Sequence, residues 1–278
     1  MMDLYENVSI RCSRLTTKAY STSFSLGIRF LAKDMRDPIY SVYGFVRFAD
    51  EIVDTFHGFD KGILLEKFKE DTCHAIDNGI SLNPILQSFQ KAVNKYGIDR
   101  ECIETFLESM RMDLFQSEYT PEEYEKYILG SAEVVGLMCL RVFLRGDAEK
   151  YETLKPFAMK LGSAFQKINF LRDLHADYKN LGRTYFPGVD LNAFSEDVKK
   201  EIEADIEKDF QMGYEGIKQL PKDARFGVFV AYVYYYKLFR KIKNQHTHDI
   251  LSRRVRISDR RKFALLFGSY VRHSFNLL

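Results

Sequence analysis

The chain has 278 residues and a formal net charge of +2, and 46% of its residues are hydrophobic. This near-neutral balance argues against an electrostatic nucleic-acid binder, which would be strongly basic. The length is sufficient to bury one large core or two small ones. The four cysteines show no C-x-x-C spacing and no dense pattern. We therefore expect free thiols in a reducing compartment.

The N-terminal residues lack the basic and apolar regions that are typical of a signal peptide. The longest apolar run, 226–236, is well short of the roughly 18–20 residues that span a bilayer. We therefore expect a cytoplasmic protein. Lysines and arginines recur between 237 and 261. They are most simply a solvated helix face, but they leave peripheral association with a membrane surface open. The sequence does not set an oligomeric state.

Prolines and glycines mark the predicted helix boundaries. Proline follows a potential cap residue at three places: Asp37-Pro38, Asn83-Pro84 and Thr120-Pro121. Each pair is typical of an N-cap followed by proline in the first turn. Glu123 lies three residues after Thr120 and would complete a capping box. Glycines 58, 79, 97 and 146 fall near the ends of the predicted helices.

Between these boundaries the apolar spacing is helical. Positions 103, 106, 107, 110 and 114 follow an i, i+3, i+4, i+7, i+11 pattern, and 134–142 is apolar almost all round, which predicts a buried helix. No alternating strand pattern, internal repeat or Gly/Ser linker is present. The sequence therefore predicts about nine or ten helices in a single all-α domain that spans residues 1–278.

Two acidic pairs carry the strongest chemical signal. Asp50 and Asp54 form the first pair, and Asp173 and Asp177 form the second. Residues four apart on a helix stand one above the other, so each pair would present a face of two carboxylates. Arg47 lies three residues before Asp50 and shares its face. Such pairs are commonly solvated surface, and this remains the plainer interpretation of either pair taken alone.

The surroundings of both pairs favour a metal site. Each pair follows a largely apolar helical segment, where unpaired acids are expensive. Two carboxylate faces opposed across a cavity would bind hard divalent cations such as Mg²⁺, which prefers oxygen ligands. Mn²⁺ could substitute, whereas Zn²⁺ should substitute poorly because no Cys/His set accompanies the acids. Removing one acid should relieve repulsion in the metal-free protein, so the fold should keep or gain stability.

Four blocks in order give the chain a family resemblance. They are Tyr20-Ser21-Thr22-Ser23-Phe24, Arg47-x-x-Asp50-Glu51-x-x-Asp54, Tyr127-x-x-Gly130-x-Ala132-x-x-Val135-Gly136, and Gln166-x-x-Asn169-x-x-Arg172-Asp173-x-x-x-Asp177, which continues to Gly182-Arg183-x-Tyr185-Phe186-Pro187. In these blocks, which span nearly the whole chain, the sequence resembles the squalene/phytoene synthase family. One motif would be a weak signal, but four in the same order are specific.

The resemblance implies an isoprenoid-synthase helical bundle with a central apolar cavity. The implied reaction is head-to-head condensation of two prenyl diphosphates through a cyclopropyl diphosphate intermediate. The four aspartates would hold Mg²⁺, which would neutralise the leaving diphosphate. The resemblance assigns diphosphate contacts to Arg47, Arg172 and Arg183. It also implies that Ser21, Ser23 and Phe24 close over the diphosphate, although a helix cap is an equally simple role for this block.

The resemblance assigns further residues to the substrate. Gln166 and Asn169 would orient the intermediate or complete the metal shell. Ala132, Val135 and Gly136, together with Gly130, would line the pocket and let the prenyl tail lie against the backbone. Three tyrosines are candidates for steering the cation or taking the last proton: Tyr43, Tyr127 and Tyr236. Each could instead be a core ring with a satisfied hydroxyl, and the catalytic interpretation is favoured only for Tyr127.

The product is open between chain lengths. The segment 177–187 is similar to the bacterial carotenoid branch of the family, which favours phytoene synthesis from geranylgeranyl diphosphate without NADPH. The alternative is dehydrosqualene or squalene synthesis from farnesyl diphosphate. A non-catalytic assembly factor of the same fold is disfavoured because all four acids are present. Ile28 lies one turn beyond Phe24, and a bulkier side chain there should shorten the pocket.

Overall fold

The computed structural model describes residues 2–116, 118–176, 185–189, 194–252 and 254–255. Within these ranges the chain forms twelve α-helices and no strand. The helices are α1 (Met2–Tyr20), α2 (Thr22–Arg29), α3 (Lys33–Asp54), α4 (Lys61–Asn78), α5 (Pro84–Tyr96), α6 (Arg100–Phe115), α7 (Pro121–Ile128), α8 (Val134–Phe143), α9 (Ala148–Ala176), α10 (Glu196–Gln219), α11 (Lys222–Lys243) and α12 (Thr247–Ser252). A π-helical turn, Leu129–Glu133, joins α7 to α8. The predicted all-α class is confirmed, and the helix count is higher than predicted.

Side-chain caps set several helix starts where the sequence predicts them. The Asn83 carboxamide accepts the backbone N–H groups of Ile85 and Leu86 at the start of α5. Thr120 and Glu123 form the predicted capping box of α7, since the Thr120 hydroxyl accepts the Glu123 N–H and the Glu123 carboxylate accepts the Thr120 N–H. These bonds satisfy N–H groups that have no partner inside the helix. At the other end, Gly79 and Gly97 end α4 and α5 with left-handed φ values of 69° and 63°.

The predicted start at Asp37-Pro38 is wrong. Helix α3 already begins at Lys33, so Pro38 lies inside it. Proline has no N–H to offer to the carbonyl four residues earlier, which belongs to Asp34. The Tyr96 hydroxyl donates to that carbonyl instead, at 3.3 Å. A tertiary hydrogen bond therefore replaces the missing helical one and allows α3 to run through its proline.

Buried aromatic rings hold the bundle together. Phe45 of α3 is fully buried and stacks on Phe89 of α5, with ring centroids 4.0 Å apart. Helix α9 packs along α10, where the buried ammonium of Lys167 donates to Asp205 and Asp209 at 2.5 and 2.7 Å. This packing fixes the rotation of α9 and so decides which of its side chains face the centre of the bundle.

Small residues bring two other helices close together at the centre. A Cβ atom on Gly27 of α2 would lie 3.0 Å from the carbonyl oxygen of Gly227 on α11. A Cβ atom on Gly227 would lie only 2.5 Å from the Leu31 side chain. Glycine at both positions therefore allows α2 and α11 to cross closely beside the central cavity. In the described ranges, no helix is long and apolar enough to cross a membrane.

Candidate active site

A central cavity of about 260 Å³ lies between α2, α3, α8, α9, α10, α11 and the π-helical turn. One water molecule needs only about 10–15 Å³, so this space is too large to be a packing defect. Its walls are almost entirely apolar or glycine. Six of the residues that the resemblance assigns to the substrate line it: Phe24, Tyr43, Ala132, Val135, Gly136 and Gln166. Ile28 lines the cavity as well.

Polar groups gather at one end of this cavity. On α3, the cavity-lining residues end at Val46, and Arg47 and Asp50 follow within the next turn. On α9, the lining residues end at Gln166, and Asn169 and Asp173 follow within the next two turns. Tyr43 interacts with Asp50 and with Tyr235, and Tyr235 interacts with Asp173, so the charged residues of both helices lie beyond the same end of the apolar wall, which we call the polar end.

Arg47 is held in place on the first acidic face. Its guanidinium lies over the Tyr20 ring, 4.3 Å from the centroid, and donates to Glu51 at 2.5 Å. The distance to the Asp50 carboxylate is longer, 3.6 Å. The buried Nε atom of Arg47 has no hydrogen-bond partner in the described part of the chain. One N–H of this arginine is therefore directed to a group that the described protein atoms do not supply.

Asp50 is the electrostatically strained member of the first acidic face. Its desolvation, and then the nearby charges of Asp54 and Asp113, raise the pKa of Asp50 to about 7, against a partial offset by Arg47. Solvent still reaches 30% of the Asp50 side chain, because it faces the cleft. The surrounding protein nevertheless restricts its hydration. A divalent cation would remove the repulsion among these acids.

The second acidic face is neutralised by arginines. Asp173 accepts from Arg172 at 2.5 Å and forms an ion pair with Arg254 at 2.5 Å. Arg254 lies just after α12. Helix α12 is attached to α9 by a hydrogen bond between His175 and the Leu251 carbonyl. Gln166 accepts from Asn169 at 3.3 Å, whereas the buried Oδ1 atom of Asn169 has no partner among the described residues.

Two tyrosines connect the two faces across the cavity. Tyr43 of α3 lies near Asp50, Arg47 and Tyr235, and burial raises the pKa of its hydroxyl to about 12. Tyr235 of α11 interacts with Asn169, Arg172 and Asp173 on α9. Both rings line the cavity. The structure thus brings Asp50 of the first predicted motif and Asp173 of the second to the same end of one cavity, with the two phenols between them.

Tyr127 belongs to a buried cluster beside the first acidic face. Its hydroxyl donates to Asp113 at 2.6 Å, and Tyr119 and Tyr185 donate to the same carboxylate at 3.1 and 3.4 Å. Burial and the Asp113 charge raise the pKa of Tyr127 well above its usual value. Phe170 stacks on Tyr185 with centroids 4.2 Å apart. This cluster joins α6, α7 and α9 to the segment 185–189.

The remaining predicted residues occupy varied positions. Ser21 caps α2 by accepting the Phe24 N–H at 3.2 Å, and Ser23 is half-buried in the first turn of that helix. Tyr236 does not line the cavity, because its hydroxyl donates to Glu207 of α10 on another face of α11. Asp177 and Arg183 lie outside the described residues.

Gly130 also has a different setting from the predicted one. A Cβ atom there would lie 2.5 Å from the Ser109 side chain and 2.7 Å from the Thr105 carbonyl. Its small size therefore serves the contact with α6 rather than the cavity. Gly136 does line the cavity, and its Cβ position is also 3.0 Å from the Ala158 carbonyl on α9.

Sequence reasoning missed three site residues: Asp113, Tyr235 and Arg254. Asp113 lies seven residues after Phe106 and three after Met110, so the helical spacing already placed an acid on a buried face. Tyr235 continues a four-residue spacing from Gly227. Arg254 was one of many basic residues after position 237, and no local pattern distinguished it.

The donor set fits a divalent cation in part. Asp50, Asp54, Asp173 and the orphaned Oδ1 of Asn169 are oxygen donors of the type that Mg²⁺ prefers. Among the described residues, however, no three His, Cys, Asp or Glu side chains are arranged to hold one ion. A cation at this end would therefore need ligands beyond those that the described side chains supply.

The fold and this site define a helical-bundle protein whose cavity suits an apolar chain with an anionic end. A family model described as squalene/phytoene synthase matches residues 17–261. The chain belongs to the squalene/phytoene synthase family and is accordingly an enzyme of that family.

Relatives with different names match this chain. Phytoene synthase 2 from Solanum lycopersicum is 27% identical over 94% of this chain and 89% of that protein. The presqualene diphosphate synthase of Rhodopseudomonas palustris is 30% identical, but the match covers only 61% of this chain and 59% of that protein. A solved dehydrosqualene synthase in complex with a ligand superposes with a TM-score of 0.82 and 22% identity, over 96% of both chains. These relatives agree on the family and differ in their named products.

Proposed function

We propose that this enzyme condenses two geranylgeranyl diphosphates head to head to phytoene, as a step of carotenoid biosynthesis. The observation that carries the proposal is an apolar cavity with guanidinium and carboxylate groups at one end. An isoprenoid chain would fill the apolar part. Its diphosphate would then lie beside Arg47, Arg172 and Arg254, which can form charge-assisted hydrogen bonds with phosphate oxygens.

Asp50, Asp54, Asp173 and Asp177 are the residues proposed to hold Mg²⁺. When bound, Mg²⁺ would supply Lewis-acid neutralisation of the leaving diphosphate. The arginines would hold the diphosphate so that the allylic carbon points into the cavity. The apolar wall would then exclude water from the allylic cation until the double bond of the second substrate attacks it. A cyclopropyl diphosphate would form first, as a proton is lost when the ring closes, and would rearrange to the linear product after a second ionisation and the loss of a second proton.

The extent of the similarity supports the C20 substrate. Relatives named phytoene synthase, from Solanum lycopersicum and Arthrospira platensis, match over 94% and 93% of this chain. The 4,4'-diapophytoene synthase of Staphylococcus haemolyticus matches over 68%. Condensation of farnesyl diphosphate to dehydrosqualene or squalene is the second candidate, because the solved relative with a TM-score of 0.82 is named for it. We do not expect NADPH to be needed.

The test is incubation of the purified protein with Mg²⁺ and with C15 or C20 prenyl diphosphate separately, each with and without NADPH. Product masses separate the candidates. A C40 hydrocarbon from the C20 substrate without NADPH is expected. A C30 product from the C15 substrate alone would favour the second candidate. No product from either substrate would favour a non-catalytic role, which the paired acids and arginines argue against. Centrifugation with vesicles would test peripheral membrane association.

A further inference from the structure

Arg47 has more than one carboxylate within reach on the first acidic face. It lies three residues before Asp50, four before Glu51 and seven before Asp54, so all three acids lie on its side of α3. Its guanidinium donates to Glu51 at 2.5 Å, whereas its distance to the Asp50 carboxylate is 3.6 Å. The arginine is therefore bonded more closely to Glu51 than to Asp50, the first acid of the predicted metal pair.

Several contacts fix the Glu51 carboxylate and the arginine that it holds. The Thr55 and Tyr20 hydroxyls interact with this carboxylate in addition to Arg47. The Tyr20 ring also lies against the Arg47 guanidinium, with 4.3 Å between Cζ and the ring centroid. The side chains of Arg47 and Glu51 are only 22% and 20% exposed, so their charge-assisted hydrogen bond is partly shielded from water. Tyr20, Arg47 and Glu51 thus contact one another as a unit beside Asp50.

The second acidic motif has no acid at the corresponding position. Leu174 follows Asp173 where Glu51 follows Asp50. Arg172 donates directly to Asp173 at 2.5 Å. The arginine of the second motif therefore occupies the predicted metal ligand itself, whereas the arginine of the first motif is held by an additional acid.

We propose that Glu51 is a positioning residue, which holds the Arg47 guanidinium against Tyr20 and away from Asp50 so that the Asp50 carboxylate stays open to a divalent cation. This inference rests on the metal role in the proposed function. Without the Glu51 carboxylate, Asp50 is the acid at the closest helical spacing, and Arg47 would pair with it as Arg172 pairs with Asp173. A cation would then have to displace the arginine before it could bind, which weakens its apparent affinity.

The test measures the binding of Mn²⁺ to the metal-free protein by electron paramagnetic resonance, without substrate. Glu51→Leu gives the first motif the residue type that follows Asp173, and it should weaken Mn²⁺ binding about five-fold or more. Part of this loss comes from the removal of a negative charge alone. The double variant Arg47→Met/Glu51→Leu separates the two causes, because it has no arginine to move. Its Mn²⁺ affinity should be within about two-fold of that of Arg47→Met.

Two further variants serve as controls. Glu108→Leu is the matched control, because Glu108 forms an ion pair with Arg111 on α6 through two bonds of 2.8 Å and does not line the cavity. It also removes a helical ion pair, but it should leave Mn²⁺ binding unchanged. Glu51→Gln keeps the shape of the side chain and replaces Glu51→Leu if that variant does not fold. Its loss of affinity should be smaller, since the carboxamide accepts a weaker hydrogen bond from Arg47, and it should likewise shrink in the Arg47→Met background.

Four outcomes would overturn the inference. Equal losses of Mn²⁺ affinity with and without Arg47 would show that only the charge of Glu51 matters. Unchanged Mn²⁺ binding in Glu51→Leu would show that Arg47 does not compete for Asp50. An equal loss in Glu108→Leu would trace the effect to the fold, and a wild type that binds no Mn²⁺ would remove the cation that Glu51 is inferred to serve. The measurement does not depend on turnover, so a wild type that binds Mn²⁺ but forms no prenyl product would reject the proposed function alone.

Discussion

The two acidic faces at the polar end of the cavity differ in how their charge is balanced. On α3, Asp50 lies near three other carboxylates, and its nearest arginine bonds more closely to Glu51 than to Asp50. On α9, Asp173 is paired with both Arg172 and Arg254. Identical residue types in similar motifs therefore have opposite electrostatic settings. Repulsion among carboxylates dominates the first face, whereas arginines neutralise the acid of the second.

This difference suggests separate roles in binding. A cation would relieve repulsion at the first face at once. At the second face, a cation would have to displace arginines from Asp173, and those arginines would then be available to phosphate oxygens. Diphosphate and metal would thus bind together at the second face. The cation would pair with Asp173, and the diphosphate would pair with the arginines released from it.

Metal removal should have the largest effect. We expect turnover of prenyl diphosphates to disappear after EDTA treatment and to return with Mg²⁺ or Mn²⁺, because the carboxylates of the first face repel a diphosphate without a cation. Zn²⁺ should restore little activity, since the proposed ligands are oxygens. Product formation by mass spectrometry is the measurement. Full turnover in metal-stripped protein and buffer would contradict the metal role.

Neutralising one acid of each face should separate the faces. Asp50→Asn and Asp173→Asn should each lower kcat by about 100-fold or more, since each removes a proposed metal ligand. Their effects on the metal-free fold should be opposite. Asp50→Asn removes repulsion and should raise Tm, whereas Asp173→Asn leaves Arg172 and Arg254 without their counter-ion and should lower it. Calorimetry of the two variants side by side checks this. A shift of both Tm values in the same direction would reject the asymmetry.

The deep end of the cavity should control chain length and not metal use. Ile28 is buried and lines the cavity next to the Gly27–Gly227 crossing, where α2 and α11 pack closely. Ile28→Trp should therefore shorten the cavity and change the C20 over C15 preference by about ten-fold or more in favour of C15. Ile28→Val is the matched control and should keep the C20 preference. An unchanged preference in Ile28→Trp would show that this wall does not contact the substrate tail.

The pH dependence of stability should be the smallest effect. The pKa of Asp50 is raised from 3.8 to about 7, so between these values the folded state holds a proton that the unfolded state has released. The contribution of this group to stability therefore falls as pH rises from about 4 to about 7. The Tm gain of metal-free Asp50→Asn over wild type should be near zero at pH 4 and about 3–6 °C at pH 8. A gain that is equal at both pH values would contradict the raised pKa.

The sequence predicted most of the fold because its signals are local. The caps at Asn83 and Thr120, the glycine ends and the apolar spacing depend on neighbours within a few residues. Pro38 was misassigned because the Tyr96 hydroxyl, which donates to the Asp34 carbonyl in place of the N–H that proline lacks, is far away in the chain. Helices were undercounted because breaks such as the one at Ser21 do not interrupt the apolar spacing clearly.

The site was predictable where motif residues repeat at helical spacing, and less so where a distant segment contributes. Asp50, Asp54 and Asp173 could be assigned to faces from their positions alone. The pairing of Arg254 with Asp173 could not be predicted, because these two residues are 81 positions apart in the chain. The effect of losing an acid on stability also depends on these distant contacts. The sequence predicted that losing any one acid would relieve repulsion, but the ion pairs of Asp173 predict the opposite result there.

The most direct test of the central claim is a competition at the cavity. Wild-type protein is incubated with Mg²⁺ and an equimolar mixture of C15 and C20 prenyl diphosphates, and the masses of all products are measured, with Asp50→Asn in parallel. We expect mainly a C40 hydrocarbon from the wild type and almost none from Asp50→Asn. Mainly C30 product would contradict the C20 assignment, and equal product from Asp50→Asn would contradict ionisation of the diphosphate at the polar end.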